Sequence, residues 1–197
     1  MKIHDISQEV FSCKVFPGDR APERFEDRRT ARGDLYNLTS FSMCAHNGTH
    51  IDAPFHFLND GDTVDRIPLG KTVGYCFVVS KTGDILKQTA EEIIKTAGDK
   101  NADSAKRILI KGKATVTEEA ARVFADNGIY LLGVESQTVG PEDAPMAVHK
   151  ILLHSKTVLL EGVCLEGIND GVYLLNAAPL KLEGSDGSPC RAILIEE

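Results

Sequence analysis

Short apolar runs alternate along the chain with charged or turn-rich stretches, and the length and period of each run set the element it predicts. Residues 2–7 place Ile3 and Ile6 around His4 and Asp5, a half-buried strand in which His4 is an ordinary member. Phe16-Pro17-Gly18-Asp19 is a turn signal, and the charged run after it, through Arg32, has no period. A long loop is expected there, and its place just ahead of a histidine-rich stretch suits a functional lid. Residues 35–44 return to β-like composition, and residues 74–80 form an apolar run that predicts a buried strand.

The second half reads as a β-α-β alternation. Thr89 with Glu92 has the spacing of a capping box and predicts a short helix through Thr96 that ends near Gly98. Residues 106–111 predict a strand, Thr117 caps a helix running to about Asn127 with Gly128 at its end, and residues 129–134 predict the next strand. A helix over 145–155 carries apolar residues at 148, 151 and 152, and strands follow over 157–163, 172–177 and 191–195. The segment from Glu183 to Pro189 is a turn-rich connection. The alternation gives an α/β fold class with a mixed sheet flanked by helices.

Composition narrows the function. At 197 residues with 42% hydrophobic content, the chain is expected to form a single domain over 1–197 with a real core. A formal net charge of -7 without a basic cluster argues against nucleic acid as a partner. No apolar run is long enough to span a membrane, and M-K-I-H-D-I-S lacks the apolar core of a signal peptide, so a cytoplasmic protein is expected. Cysteines 13, 44, 76, 164 and 190 are scattered without a C-x-x-C pair; Cys76 and Cys164 lie in apolar surroundings and are expected to be buried reduced thiols. Leu69-Gly70-Lys71-Thr72 is not a phosphate loop, because Asp65 stands where the first glycine belongs. No G-x-S-x-G elbow for a serine hydrolase occurs.

The chemistry concentrates in residues 45–57, A-H-N-G-T-H-I-D-A-P-F-H-F. His46, His50, Asp52 and His56 are groups that bind a borderline divalent metal or move a proton near neutral pH. Were the segment an extended strand, His46 and His56 would lie about 33 Å apart, beyond the reach of one ion. Gly48, the β-branched Thr49 and Ile51, and Pro54 oppose a helix. The chain must therefore bend, and Asn47-Gly48 is the place for a turn that folds His46 back toward His50 and Asp52. Two imidazoles and a carboxylate make a three-ligand site with an open position, the arrangement of catalytic zinc, and that points to a hydrolase. His56, across Pro54, suits proton transfer beside the metal. Downstream, Glu161 in an apolar run needs a partner, which a metal or a lysine could supply, with His149 and His154 competing for a place near it.

The motif H-N-G-T-H-I-D-A-P-F-H-F resembles the signature of the cyclase-like metal-dependent hydrolases, the family of bacterial kynurenine formamidase and isatin hydrolase. Phe16-Pro17-Gly18-Asp19, the segment from His149 to Gly162, and G-S-D-G-S-P-C-R-A at 184–192 are similar to further segments of that family. The resemblance implies a swivelling β/β/α fold, a homo-oligomer (dimer or tetramer), and cleavage of a carbon-nitrogen bond in a small-molecule amide, formamide or cyclic amide. It implies one metal on His46, His50 and Asp52, a second on Asp52, His149 and Glu161, and His56 as the acid/base. His154 with Glu166 repeats the twelve-residue spacing and is the competing pair. Zinc is the first choice of metal and manganese the second, with one or two ions per chain. Phe16 stands where family formamidases carry a tryptophan against the substrate ring, and Glu135-Ser136 replaces an aspartate-led segment, so the pocket is expected to differ. The competing reading is a non-catalytic, metal-dependent small-molecule binding protein.

Overall fold

The structure is a computed structural model and describes residues 1–196. In chain order the strands are β1 (Lys2–Asp5), β2 (Glu23–Arg28), β3 (Leu38–Ser42), β4 (His50–Asp52), β5 (Val73–Ser80), β6 (Gly83–Ile85) and β7 (Arg107–Lys111). They continue with β8 (Ala114–Val116), β9 (Leu131–Val134), β10 (Val158–Glu161), β11 (Gly171–Asn176), β12 (Gly187–Pro189) and β13 (Ile193–Glu196). Three α-helices are interleaved, α1 (Lys87–Lys100), α2 (Glu118–Asp126) and α3 (Met146–His154).

Nine strands form one mixed sheet in the order β1-β13-β11-β5-β7-β9-β10-β4-β12. Its centre, β5-β7-β9-β10, is parallel, and the strands to either side are antiparallel. The centre is buried on both faces, which is why residues 76–79, 108–110 and 158–160 are continuous apolar runs rather than alternating ones. Successive residues divide between two core clusters: Phe77, Ile108, Ile110, Leu132 and Leu159 meet all three helices, while Cys76, Val78, Leu109, Leu131 and Leu160 pack on the opposite face. The mixed α/β architecture expected from the sequence is present, with the helices on one side of the sheet.

Four local expectations need correction. The run expected to be a loop contains β2, which pairs with β3 as a separate antiparallel hairpin. Every residue of β2 is exposed, so burial imposed no alternation that a sequence pattern could reveal. Helix α1 begins at Lys87 with Leu86 as an uncapped start, and Thr89 and Glu92 lie inside it. It continues past Gly98 because Ala90, Ile93 and Ala97 anchor one face to the core to its end. Cys164 is exposed, whereas Cys76 is buried as expected. The turn-rich connection near the C-terminus contains β12, an edge strand beside β4. The helix starting after Thr117 matches its expectation, with the Thr117 hydroxyl accepting from Ala120 N–H.

Candidate metal centre

The centre is built where β4 meets β10, on the face that carries α3. In the antiparallel pairing of these strands, His50 lies opposite Glu161 and Asp52 opposite Leu159. Ile51, between His50 and Asp52 in sequence, points to the other face and joins the opposite core cluster. Glu161 is at the carboxyl end of a parallel strand, the usual edge for sites in open α/β sheets. Helix α3 buries Val148, Leu152 and Leu153 against the sheet, and the same packing brings His149 over Asp52 and Glu161.

The turn before β4 delivers His46. Gly48 takes φ = 65°, and Asn47 closes the turn by accepting from Cys44 N–H at 2.9 Å through its side-chain oxygen. The Thr49 hydroxyl donates to Gly162 O at 2.7 Å, fastening the turn to the end of β10. His46 thereby folds back so that Nδ1 lies 2.8 Å from Asp52 Oδ1. After β4, Pro54–His56 forms a single 3-10 turn that presents His56 with its ring stacked on His46, centroids 4.0 Å apart and planes at 29°.

Asp52 is the hub. Its Oδ1 is 3.3 Å from His50 Nε2, and its Oδ2 is 3.5 Å from His149 Nε2. Glu161 reaches the same two imidazoles, with Oε2 3.4 Å from His50 Nε2 and Oε1 3.2 Å from His149 Nε2. Asp52 and His50 are 1% exposed, Glu161 2% and His149 3%, so water does not solvate these charges. His46, His50 and Asp52 form one group able to hold an ion, and Asp52, His149 and Glu161 form another.

The donor set fits a divalent metal. His50 Nδ1 lies 3.0 Å from Gly48 O and His149 Nδ1 lies 2.9 Å from Pro145 O. A carbonyl can only accept, so each Nδ1 carries a proton and each neutral ring turns the lone pair of Nε2 toward the carboxylates. Lone pairs facing lone pairs are unfavourable unless a cation lies between them. Asp52 Oδ2 is buried without a hydrogen-bond partner, the orphan atom expected of a ligand.

Protons can play the cation's part, and the titration behaviour shows how strongly one is demanded. Burial alone would lower each imidazole, but hydrogen bonds to the carboxylates outweigh it. Asp186 and Asp52 raise His46 to about 11, Asp52 and Glu161 raise His50 to about 9, and the same pair raises His149 to about 10. Asp52 is pushed up by burial, yet His149, His46 and His50 hold it well below the usual carboxylate range.

Of the expected residues, His46, His50, Asp52, His56, His149 and Glu161 all come together. His154 and Glu166 are exposed and lie outside the cluster. Phe16 is half-buried on the wall of another cavity, of about 880 Å³, shared with Lys14, Glu135, Gln137 and Thr138 but with none of the six. Glu135 is tied up structurally, accepting from Gly112 N–H at 2.6 Å and Leu165 N–H at 2.8 Å.

The residue that sequence reasoning missed is Asp186. Its Oδ2 is 2.9 Å from His46 Nε2 and 3.2 Å from His56 Nδ1, and these imidazoles, His46 first, hold its carboxyl well below the usual range. It is the single acid in G-S-D-G-S-P-C-R-A, the one signal that could have found it.

Comparison with known proteins agrees with this geometry. The Cyclase family model matches residues 4–141. A kynurenine formamidase from Salinibacter ruber is 32% identical over 98% of this chain and 97% of its own. A solved structure described as a potential metal-dependent hydrolase with cyclase activity superposes with a TM-score of 0.82 at 27% identity, covering 98% of this chain and 96% of that one. Isatin hydrolase A from Labrenzia aggregata shares the fold, with a TM-score of 0.82 at 22% identity over 100% of this chain and 94% of its own. With its motif segment, sheet and His/Asp/Glu cluster in agreement, the chain belongs to the Cyclase family of metal-dependent hydrolases.

Proposed function

We propose that the chain is a metal-dependent amidohydrolase that cleaves the carbon-nitrogen bond of an amide, formamide or cyclic amide, with an aryl formamide as the first candidate substrate. One observation carries the reading: ring nitrogens of three imidazoles and the oxygens of two carboxylates converge around Asp52, whose buried Oδ2 has no hydrogen-bond partner. The kynurenine formamidase relative supports the choice of bond. In this reading His46, His50 and Asp52 would hold one ion, and Asp52, His149 and Glu161 would hold a second, so Asp52 belongs to both sets. Zinc suits the mixed nitrogen and oxygen donors, and manganese is the alternative. When bound, the metal lowers the pKa of water and polarises a carbonyl oxygen.

The protein's own groups do the rest. His56 Nδ1 is engaged by Asp186, which leaves Nε2 to exchange protons with the reactants. It takes a proton from water as oxygen attacks the carbonyl carbon, and returns it to the nitrogen as the carbon-nitrogen bond breaks, giving an acid and an amine. His56 is partly open to solvent, its side chain 27% exposed, so a substrate can reach it while the ligand carboxylates stay dry. Gln137 and Val139 connect the cavity carrying Phe16 to the centre: Gln137 donates to Gly48 O at 3.0 Å and Val139 N–H donates to Glu161 at 2.7 Å. Phe16 as a contact for the aryl part of the substrate rests on the family resemblance of Phe16-Pro17-Gly18-Asp19.

Protein loaded with zinc or manganese is expected to hydrolyse formyl-kynurenine and to lose that activity to a chelator. No chelator-sensitive hydrolysis across aryl formamides, isatin-like lactams and lactones would overturn the proposal.

A further inference from the structure

Asp186 does more than neutralise charge. A carboxylate offers only lone pairs, so the two ring nitrogens on its Oδ2, His46 Nε2 at 2.9 Å and His56 Nδ1 at 3.2 Å, must both carry their protons there. We infer that Asp186 is a positioning residue that fixes a proton on His46 Nε2 and on His56 Nδ1 at once, leaving His56 Nε2 as the proton-transferring atom and His46 Nδ1, whose proton Asp52 Oδ1 accepts at 2.8 Å, as the one His46 nitrogen free to give up its proton to a metal. This deepens the amidohydrolase reading and rests on it for the role of His56. In water a free imidazole favours no such arrangement of both rings, so the order must come from the protein.

Three further observations support it. The loop carrying Asp186 is clamped: Gly184 N–H donates to the Asp65 side chain at 3.1 Å, Val64 N–H donates to Ser185 O at 2.9 Å, and the Ser185 hydroxyl donates to Gly187 O at 2.7 Å. The main chain of Asp186 accepts from Ala53 N–H at 2.9 Å, the residue that opens the His56 turn, so one residue holds both the backbone and the ring of that segment. The two rings are stacked 4.0 Å apart, so neither can tilt without displacing the other. Asp186 itself is half-buried, and nothing in its neighbourhood but these imidazoles uses its carboxylate oxygen Oδ2.

The test uses the zinc-loaded protein labelled with 15N, with the six histidines followed by long-range proton-nitrogen spectra and His56 assigned by its loss in His56→Gln. The wild type is expected to show His56 protonated at Nδ1. In Asp186→Ala the His56 ring should shift toward protonation at Nε2, zinc affinity should fall by no more than about 10- to 100-fold so that the variant stays loaded in excess zinc, and kcat on formyl-kynurenine measured in that excess should fall by about 10- to 100-fold with KM changed by less than about twofold. Asp186→Asn keeps an oxygen acceptor without the charge and should lie between; it also serves if the alanine variant does not fold. Wild-type His56 protonated at Nε2, or an unchanged tautomer in a folded Asp186 variant, overturns the inference whatever happens to activity. If no preparation hydrolyses the formamide yet the tautomer shifts, Asp186 keeps its role and the substrate reading falls instead.

Discussion

Gly187→Ala should disable the centre without replacing any of its proposed ligands. A Cβ at 187 would stand 2.6 Å from His46 Cε1, 3.0 Å from His46 Nε2 and 2.8 Å from Ile51 O. Ordinary contacts begin near 3.4 Å, so something must retreat by roughly 0.8 Å. Ile51 O belongs to β4, which is held between β10 and β12, and cannot yield cheaply. The imidazole moves instead, and its 2.9 Å bond to Asp186 and 2.8 Å approach to Asp52 both lengthen beyond hydrogen-bonding range. Overpacking of this kind costs about 1–3 kcal/mol of stability. Displacing a ligand that much should weaken metal binding by about 10- to 100-fold, and misplacing the reacting groups by about 1 Å should lower kcat/KM by about 100-fold. Thermal unfolding, metal content after dialysis and steady-state kinetics measure the three effects. Gly70→Ala is the control, since a Cβ there meets nothing within 4 Å, and it should change stability by less than about 0.5 kcal/mol. A Gly187→Ala protein with wild-type metal content and activity would refute the steric argument.

Other expectations follow from the same geometry. Glu161→Ala should empty the site shared with Asp52 and His149, and should also cost about 1–3 kcal/mol because buried Val139 N–H loses its acceptor; metal analysis and denaturant unfolding separate the two losses. In metal-free protein, the raised pKa values mean that imidazolium ions hold the carboxylates together. That stability is fully present below about 6.5 and drains away as pH rises through about 9 for His50, 10 for His149 and 11 for His46. Denaturation midpoints of metal-free protein should therefore fall across this alkaline range, and midpoints that stay flat would show that the histidines are neutral. Thr117→Ala should lower stability by about 1 kcal/mol through loss of the α2 cap, with activity unchanged.

Legibility in the sequence followed the range of the physics. The bend at Asn47-Gly48, the Thr117 cap and the buried strands of the sheet centre are local or strongly periodic, and each left a pattern that burial or backbone conformation enforces. His149 and Glu161 could be singled out because their strand and helix were recognisable and a carboxylate in an apolar run is costly. Asp186 left no such pattern. It precedes a three-residue edge strand inside a turn-rich segment, and its partners His46 and His56 lie far away in sequence. Residues 35–44 read as β-like and do contain β3, but β2 and its pairing with β3 could not be read, because every residue of β2 is exposed and no face selects them. Cys164 looked buried from its apolar neighbours, yet the chain has left the sheet by that point and the thiol faces outward.

The placement of β4 bears on how the molecule folds. This three-residue strand is gripped by β10 and β12, whose partners for Asp52 are Leu159 and Gly187, each more than a hundred positions downstream. Pairings that close such large loops recover their entropic cost late, so β4 is expected among the last pieces to lock and the first to open. A metal that binds only the locked form deepens that state by mass action. Amide hydrogen exchange at Ile51, between His50 and Asp52, should therefore slow on metal loading far more than exchange in β7, and the candidate metal centre would double as the clasp that keeps this edge of the sheet shut.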